Sequence, residues 1–225
     1  MIPYKDDNPT YSFPFFTVTI IGLNIGIYLV GLFTGNSERF ALLYGAMPSG
    51  ILTFESPQPI HPGLTIFTSM FLHGGLFHLA GNMLYLWIFG NNVEDTLGHL
   101  KFLLFYLLAG VFAAYSHAIV EGPSSNIPMI GASGAISGIL GAYLVLYPHA
   151  RVHTLLFFGF FVQVVRIPAL IVIGFWAIIQ ILNGLITAGI HSQGGVAWFA
   201  HIGGFLFGFF TIRLWRPRRR YYIRW

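Results

Sequence analysis

Residues 128–147 read Pro-Met-Ile-Gly-Ala-Ser-Gly-Ala-Ile-Ser-Gly-Ile-Leu-Gly-Ala-Tyr-Leu-Val-Leu-Tyr, and this stretch decides the fold. It is apolar enough to enter a membrane, yet Gly, Ala and Ser stand where a lipid-facing helix carries Leu and Phe. Small residues recur at Gly131, Ala132, Gly134, Ser137, Gly138 and Gly141. Gly134 and Gly138, four residues apart, lie on one helix face and let another helix backbone come very close. Ser133 follows Pro128 and the polar run Ser124-Ser125-Asn126, which predicts a position near the start of the helix. A helix buried against a partner, with a hydroxyl at its N-terminus, points to a site.

The rest of the chain agrees with a membrane setting. Of 225 residues, 56% are hydrophobic and 8% charged, against about 25% charged in soluble domains. Mean hydropathy is +0.72. The absence of cysteine excludes disulfides, thiolate metal sites, a Cys nucleophile and palmitoylation. A net charge of +4 sits mostly in the tail, at Arg216, Arg218, Arg219, Arg220 and Arg224. That cluster reads as a membrane-surface anchor and does not argue for nucleic acid. The first apolar run is long, follows a polar start and lacks a small-residue cleavage pattern, so it is expected to remain as a span.

Apolar runs of about 20 residues mark transmembrane helices. Six are expected, over Phe13–Phe33, Leu64–Phe89, Phe102–Val120, the small-residue stretch to Pro148, Ile167–Ile186 and Val196–Leu214. The second is interrupted by His73-Gly74-Gly75, so its helix proper is expected to start near Leu76. Asn24 in the first span is expected to hydrogen-bond to another helix. Residues 35–63 are too polar to span, and residues 149–166 are expected to form a loop dipping into the interface. The fold class is therefore all-α, a single six-helix transmembrane domain over residues 1–225 with short tails.

Charge sets the orientation. Lys5, Lys101, Arg151, Arg166, Arg213 and the arginine tail fall on the side of the termini, and only Arg39 falls on the other. By the positive-inside rule both termini are cytoplasmic. The second, fourth and sixth helices then all start at the outer face. Their polar residues, His78 and Asn82, Ser133, and His201, lie in their first halves. His201 is roughly 9 Å below a helix start near Gly195 at 1.5 Å rise per residue.

Ionisable groups inside a membrane are costly and by default functional. His201 is surrounded by Ala197, Ala200, Gly203, Gly204 and Gly208, so nothing bulky keeps its helix away from that of Ser133. The imidazole would take the hydroxyl proton as Ser133 attacks a carbonyl, then return it to the leaving amine. His78 and Asn82 share a helix face and offer donors to a developing oxyanion, with the Ser133 backbone N–H and the helix N-terminus. None of the seven acidic residues lies inside a span, and only Glu121, at the outer end of the third, comes near the site. A Ser–His dyad follows, with the ring oriented by packing. His73, in the irregular start of the second helix, reads as structural. Glu94 and Asp95 read as capping or loop-fixing groups. Gln180, Asn183, His117, His149, His153 and His191 read as ordinary packing or surface residues.

Gly131-Ala132-Ser133-Gly134 resembles the Gly-x-Ser-Gly motif of rhomboid intramembrane serine proteases. Ala200-His201-Ile202-Gly203-Gly204 resembles that family's histidine motif, and His78-Leu79-Ala80-Gly81-Asn82 its His-x-x-x-Asn motif. The resemblance covers roughly residues 13–214. It implies Ser133 as nucleophile, His201 as general base, and His78 and Asn82 as oxyanion donors. It also implies single-pass transmembrane substrates, cut near the outer surface after small residues, and admitted beside the second and fifth helices under a loop at about Ala188–Trp198. Two features depart from the pattern of some members. Residues 35–63 hold no Trp, and Ser137 stands where an aromatic would support the histidine.

Rival chemistries fail on inventory. A zinc protease wants His-Glu-x-x-His, an aspartyl enzyme two carboxylates within the membrane, and neither exists here. Position 135 is Ala, so the hydrolase elbow Gly-x-Ser-x-Gly is unmatched. A transporter should show repeated halves around a midplane site, and no repeat is evident. A catalytically silent, client-binding relative would be expected to lack Ser133 or His201. The expectation is thus a protease needing no cofactor and no metal, with membrane lipid and transmembrane proteins as its partners. So bare a core fits a bacterial inner membrane, with the active site opening to the outer face.

Overall fold

The computed structural model describes residues 2–159, 161–187 and 195–215. Most of the expected cap loop with His191, and the arginine tail, lie outside the described residues. The first helix, α1 (Phe15–Thr34), follows Pro14 and ends at Gly35 in the left-handed conformation. Its free N-terminal amides are capped from elsewhere in the chain: the buried Glu94 carboxylate accepts from Phe16 N (2.9 Å), Thr17 N (2.8 Å) and Thr17 Oγ1 (2.7 Å). Asp95 accepts from the Tyr11 and Ser12 amides just upstream. Both acids therefore do the capping and loop-fixing work expected of them. Asn24 differs from expectation. Its amide donates to Ile20 O of its own helix at 2.8 Å, not to a neighbouring helix.

Three short helices, α2 (Ser37–Tyr44), α3 (Pro48–Thr53) and α4 (Pro62–Ser69), fill the first connection. Next, α5 (Leu76–Tyr85) runs through a π-helical turn at Leu86–Gly90 into α6 (Asn91–Leu97). Then come α7 (His99–Glu121), α8 (Ser133–Leu146), α9 (Ala169–Thr187) and α10 (Trp198–Trp215). Of these, α1, α7 and α9 are long and apolar enough by themselves to cross a membrane, and α8 is a shorter apolar helix.

The core is built around α8, in which only Ser133 and Val145 are not fully buried. Its glycines are what allow this. A methyl group on Gly204 of α10 would land on the Gly134 carbonyl oxygen, and one on Gly208 would land on that of Gly138. On another side, α7 brings Ala109 and Ala113 against Gly138 and Gly134. With no side chain between them, the backbones meet directly, and dispersion contacts replace the hydrophobic driving force that lipid cannot supply.

Residues 149–166 are not a loop. They form most of a hairpin, β2 (Arg151–Phe158) and β3 (Phe161–Pro168), turned at Gly159 with φ 60°. The N-terminal strand β1 (Ile2–Asp6) completes an antiparallel sheet of order β1-β2-β3, with Asp6 opposite Val152 and Arg151 opposite Pro168. The chain is thus mostly helical with a small sheet, and the all-α expectation is corrected. Val152, Thr154, Val162, Val164 and Val165 are β-branched, a composition that favours extended chain once a partner strand is present. That partner comes from the far end of the sequence.

The sheet is fastened to the C-terminal end of α8, about 20 Å from Ser133 at 1.5 Å per residue. The Tyr143 hydroxyl donates to the buried Asp6 carboxylate at 2.5 Å, and Asp7 pairs with His153 at 2.5 Å. Burial pushes the Asp6 carboxyl above the usual range, outweighing the Tyr143 hydrogen bond that favours the charged form. A carboxyl raised on folding favours the native state at low pH, and that contribution is lost as pH rises through the folded value. Asp6→Asn keeps an acceptor for Tyr143 without the charge. It is expected to melt above wild type at neutral pH, with the difference vanishing as pH falls toward ~4, the unfolded Asp value, in thermal scans of detergent-solubilised protein. Gly204→Val is expected to lower stability by about 1–3 kcal/mol in the same assay, because α10 must back away from α8.

Candidate active site

Ser133 is the first residue of α8, and the segment before it is pinned on both sides. Gly131 N donates to Ser69 O at 2.9 Å, Ala46 and Met129 exchange backbone hydrogen bonds, and Ser49 Oγ donates to Asn126 Oδ1 at 2.6 Å. Gly131 adopts φ 125°, a conformation open to glycine and strained for other residues. Ser137, one turn along α8, donates its hydroxyl to Ser133 O at 2.6 Å and takes no part beyond the helix.

His201 lies in the first turn of α10. The close backbone contact of α10 with α8 puts its Nε2 at 2.8 Å from Ser133 Oγ. On the other side of the ring, Nδ1 is 2.7 Å from Oε1 of Gln180, a buried residue of α9. The Gln180 amide in turn donates from Nε2 to Trp176 O at 3.2 Å. Trp176 and Trp198 flank the imidazole, with ring centroids at 6.0 and 6.2 Å. The ring is therefore held by a hydrogen bond from α9 as well as by packing, which corrects the expectation of packing alone. Gln180 is the residue that sequence reasoning passed over. Its signal was a primary amide in an apolar helix, a group that needs a partner when buried.

His78 and Asn82 lie on one face of α5 and converge on Gly131. A Cβ on that glycine would stand 2.7 Å from His78 Nε2 and 3.7 Å from Asn82 Nδ2. Asn82 Nδ2 is also 2.9 Å from His73 Nε2, and the His73 and His78 rings meet edge to face at 5.0 Å. His73, read from sequence as structural, thus orients the Asn82 amide and leaves its second N–H free. Glu121 lines the same cavity, but the nitrogen of His201 that a carboxylate would take is already engaged by Gln180. His117 of α7 lines it too, with Nδ1 buried and unpartnered.

The cavity holds about 920 Å³, and Ser133, His201, His78, Asn82, His117 and Trp176 are on its walls. That lies within the usual size range of ligand pockets. Among the described residues, no group of three or more His, Cys, Asp or Glu converges to hold a metal ion.

A Rhomboid domain matches residues 62–218, which contain all of these cavity-lining side chains. The chain belongs to the rhomboid family. Rhomboid protease GluP of Bacillus subtilis (strain 168) is 32% identical to it over 200 residues, 88% of this chain and 34% of GluP. RHOMBOID-like protein 1 of Arabidopsis thaliana is 25% identical over 236 residues, 93% of this chain and 56% of that protein. The human presenilin-associated rhomboid-like protein, mitochondrial, is 40% identical over 86 residues, 37% of this chain and 22% of that protein. This rhomboid therefore spans about a third of the length of GluP and about half that of the Arabidopsis protein. Gly131→Ala is expected to cost about 1–3 kcal/mol of stability from backbone strain alone, read as a lowered Tm, and to push His78 off its position.

Proposed function

We propose that this rhomboid is an intramembrane serine endopeptidase that hydrolyses peptide bonds in or near transmembrane segments of other membrane proteins. The observation that carries the reading is the 2.8 Å contact between Ser133 Oγ and His201 Nε2 inside a cavity large enough for substrate and water. Ser133 Oγ attacks the scissile carbonyl as His201 Nε2 accepts its proton. The oxyanion receives hydrogen bonds from the free Asn82 N–H, from His78 and from the Ser133 backbone N–H at the start of α8. Collapse of the tetrahedral intermediate breaks the C–N bond, and His201 returns the proton to the departing amine. Water then enters and attacks the ester carbonyl as His201 takes its proton; the bond from the carbonyl carbon to Ser133 Oγ breaks, and His201 returns the proton to Oγ.

The membrane arrangement we propose has six spans: α1, the α5–α6 helix, α7, α8, α9 and α10. Lys5, Lys101, Arg151, Arg166 and Arg213 then fall on the side of the sheet, the cytoplasmic side under the positive-inside rule. Ser133 starts α8 at the opposite end, so cleavage takes place near the outer surface of a bacterial inner membrane. Single-pass membrane proteins are the substrates, reached through lipid between α5 and α9. The name of the GluP relative supports a protease. A silent client-binding relative has no use for a serine and a histidine held in hydrogen-bond contact.

Labelling of detergent-solubilised protein with a fluorophosphonate probe tests this. Wild type is expected to label, and Ser133→Ala and His201→Ala are expected to remain unlabelled. Equal labelling of all three sinks the protease reading. Asn82→Ala is expected to lower kcat on a transmembrane peptide by about 10²–10³-fold, the usual loss for one oxyanion donor.

A further inference from the structure

We propose that Gln180 is a positioning residue that selects the tautomer in which His201 works as a base. The inference rests on the reading of Ser133 and His201 as the catalytic pair. A neutral imidazole carries one proton, and the group facing each nitrogen decides which nitrogen has it. Gln180 presents an amide to Nδ1, and an amide has two different ends. If its NH2 faced the ring, Nδ1 would have to accept, Nε2 would carry the proton, and the Ser133 hydroxyl would have no acceptor. The Trp176 carbonyl removes that option. A carbonyl only accepts, so it takes the NH2 end at 3.2 Å and turns Oε1 toward His201 at 2.7 Å. Nδ1 therefore holds the proton, and Nε2 is left with its lone pair toward Ser133 Oγ.

The order of dependence runs from a backbone carbonyl of α9, through an amide, to a ring on α10 and a hydroxyl on α8. No proton travels along it beyond the Ser133–His201 step. When Nε2 takes the serine proton, Nδ1–H stays bonded to Gln180 Oε1, whose partial negative charge favours the imidazolium without a full carboxylate. The arrangement needs α9 seated closely on α10, and Gly184, one turn past Gln180, provides for it: a Cβ there would lie 3.2 Å from Ile202 Cδ1. Gln180 thus takes, as a neutral group, the place against Nδ1 that an acidic third member would hold.

Three variants and two measurements test the assignment. Gln180→Leu is expected to lower kcat by about 10²-fold, with KM within about 2-fold, because the tautomer is no longer chosen, the ring is no longer oriented and the imidazolium loses its bond to Oε1. Gln180→Glu is expected to stay within about 10-fold of wild type and to move the acid limb of the pH–rate profile up by about one unit, since a carboxylate stabilises the imidazolium. Among the described residues, His78 and Tyr85 of α5 and His117 and Glu121 of α7 are the titratable groups that line the cavity with His201, and all four are unchanged in every variant. Gln180→Leu with wild-type kcat, or Gln180→Glu with an unmoved acid limb, overturns the proposal. The second measurement does not need turnover. Nitrogen-15 NMR of histidine-labelled Ser133→Ala protein is expected to show His201 protonated at Nδ1, and a mixture when Gln180→Leu is added. An Nε2-protonated ring with Gln180 in place overturns the proposal, whatever the labelling experiment shows of the protease reading.

Discussion

Two helix backbones touching without side chains between them are the constraint on which this molecule depends. The carbonyl oxygens of Gly134 and Gly138 occupy the space that side chains would fill on Gly204 and Gly208. In a lipid environment nothing pushes two apolar helices together, so attraction has to come from fit at short range. The same contact sets the geometry of the candidate site. His201 lies one turn before the Gly204 contact, and Ser133 immediately before the Gly134 contact, so the closeness of the two helices also sets the distance between these two side chains.

Burial in such a bundle makes every polar group consequential. An amide or imidazole without a partner costs several times what a hydrogen bond contributes in water. Several polar groups near the cavity come in sets: His73 with Asn82, and the Trp176 carbonyl with Gln180, His201 and Ser133. Each set joins two or three elements, so orientation at the site follows from the packing of the whole bundle. Glu94 applies the same rule at the other end of the molecule, where it satisfies the free amides of α1.

The sheet shows how the far end of α8 is secured. The β1 strand pairs with a hairpin more than a hundred residues away, and Asp6 reaches the Tyr143 hydroxyl at the foot of the central helix. Buried groups tie α8 at this end and glycine contacts hold it along its length, so Ser133 projects from a support that is fixed at both ends.

Much of this was legible from local pattern. Apolar runs marked the helices, the Gly-Ala-Ser stretch marked the buried one, and the spacing of His78 and Asn82 put both on one face. These are properties of neighbours in the chain, and helical periodicity alone expresses them. Three features were not legible, and two of them depend on partners distant in sequence. Residues 151–168 became strands because β1 was there to pair with them. Asn24 turned back to its own helix, where its amide meets the Ile20 carbonyl. Gln180 met His201 because α9 crosses α10 at one particular height. By itself the sequence determined which side chains a membrane bundle would have to bury and which of them were candidates for the site. Only the tertiary structure decided what each would bond to, because a hydrogen bond needs a partner within about 3 Å, and chain spacing says nothing about distance between separate helices.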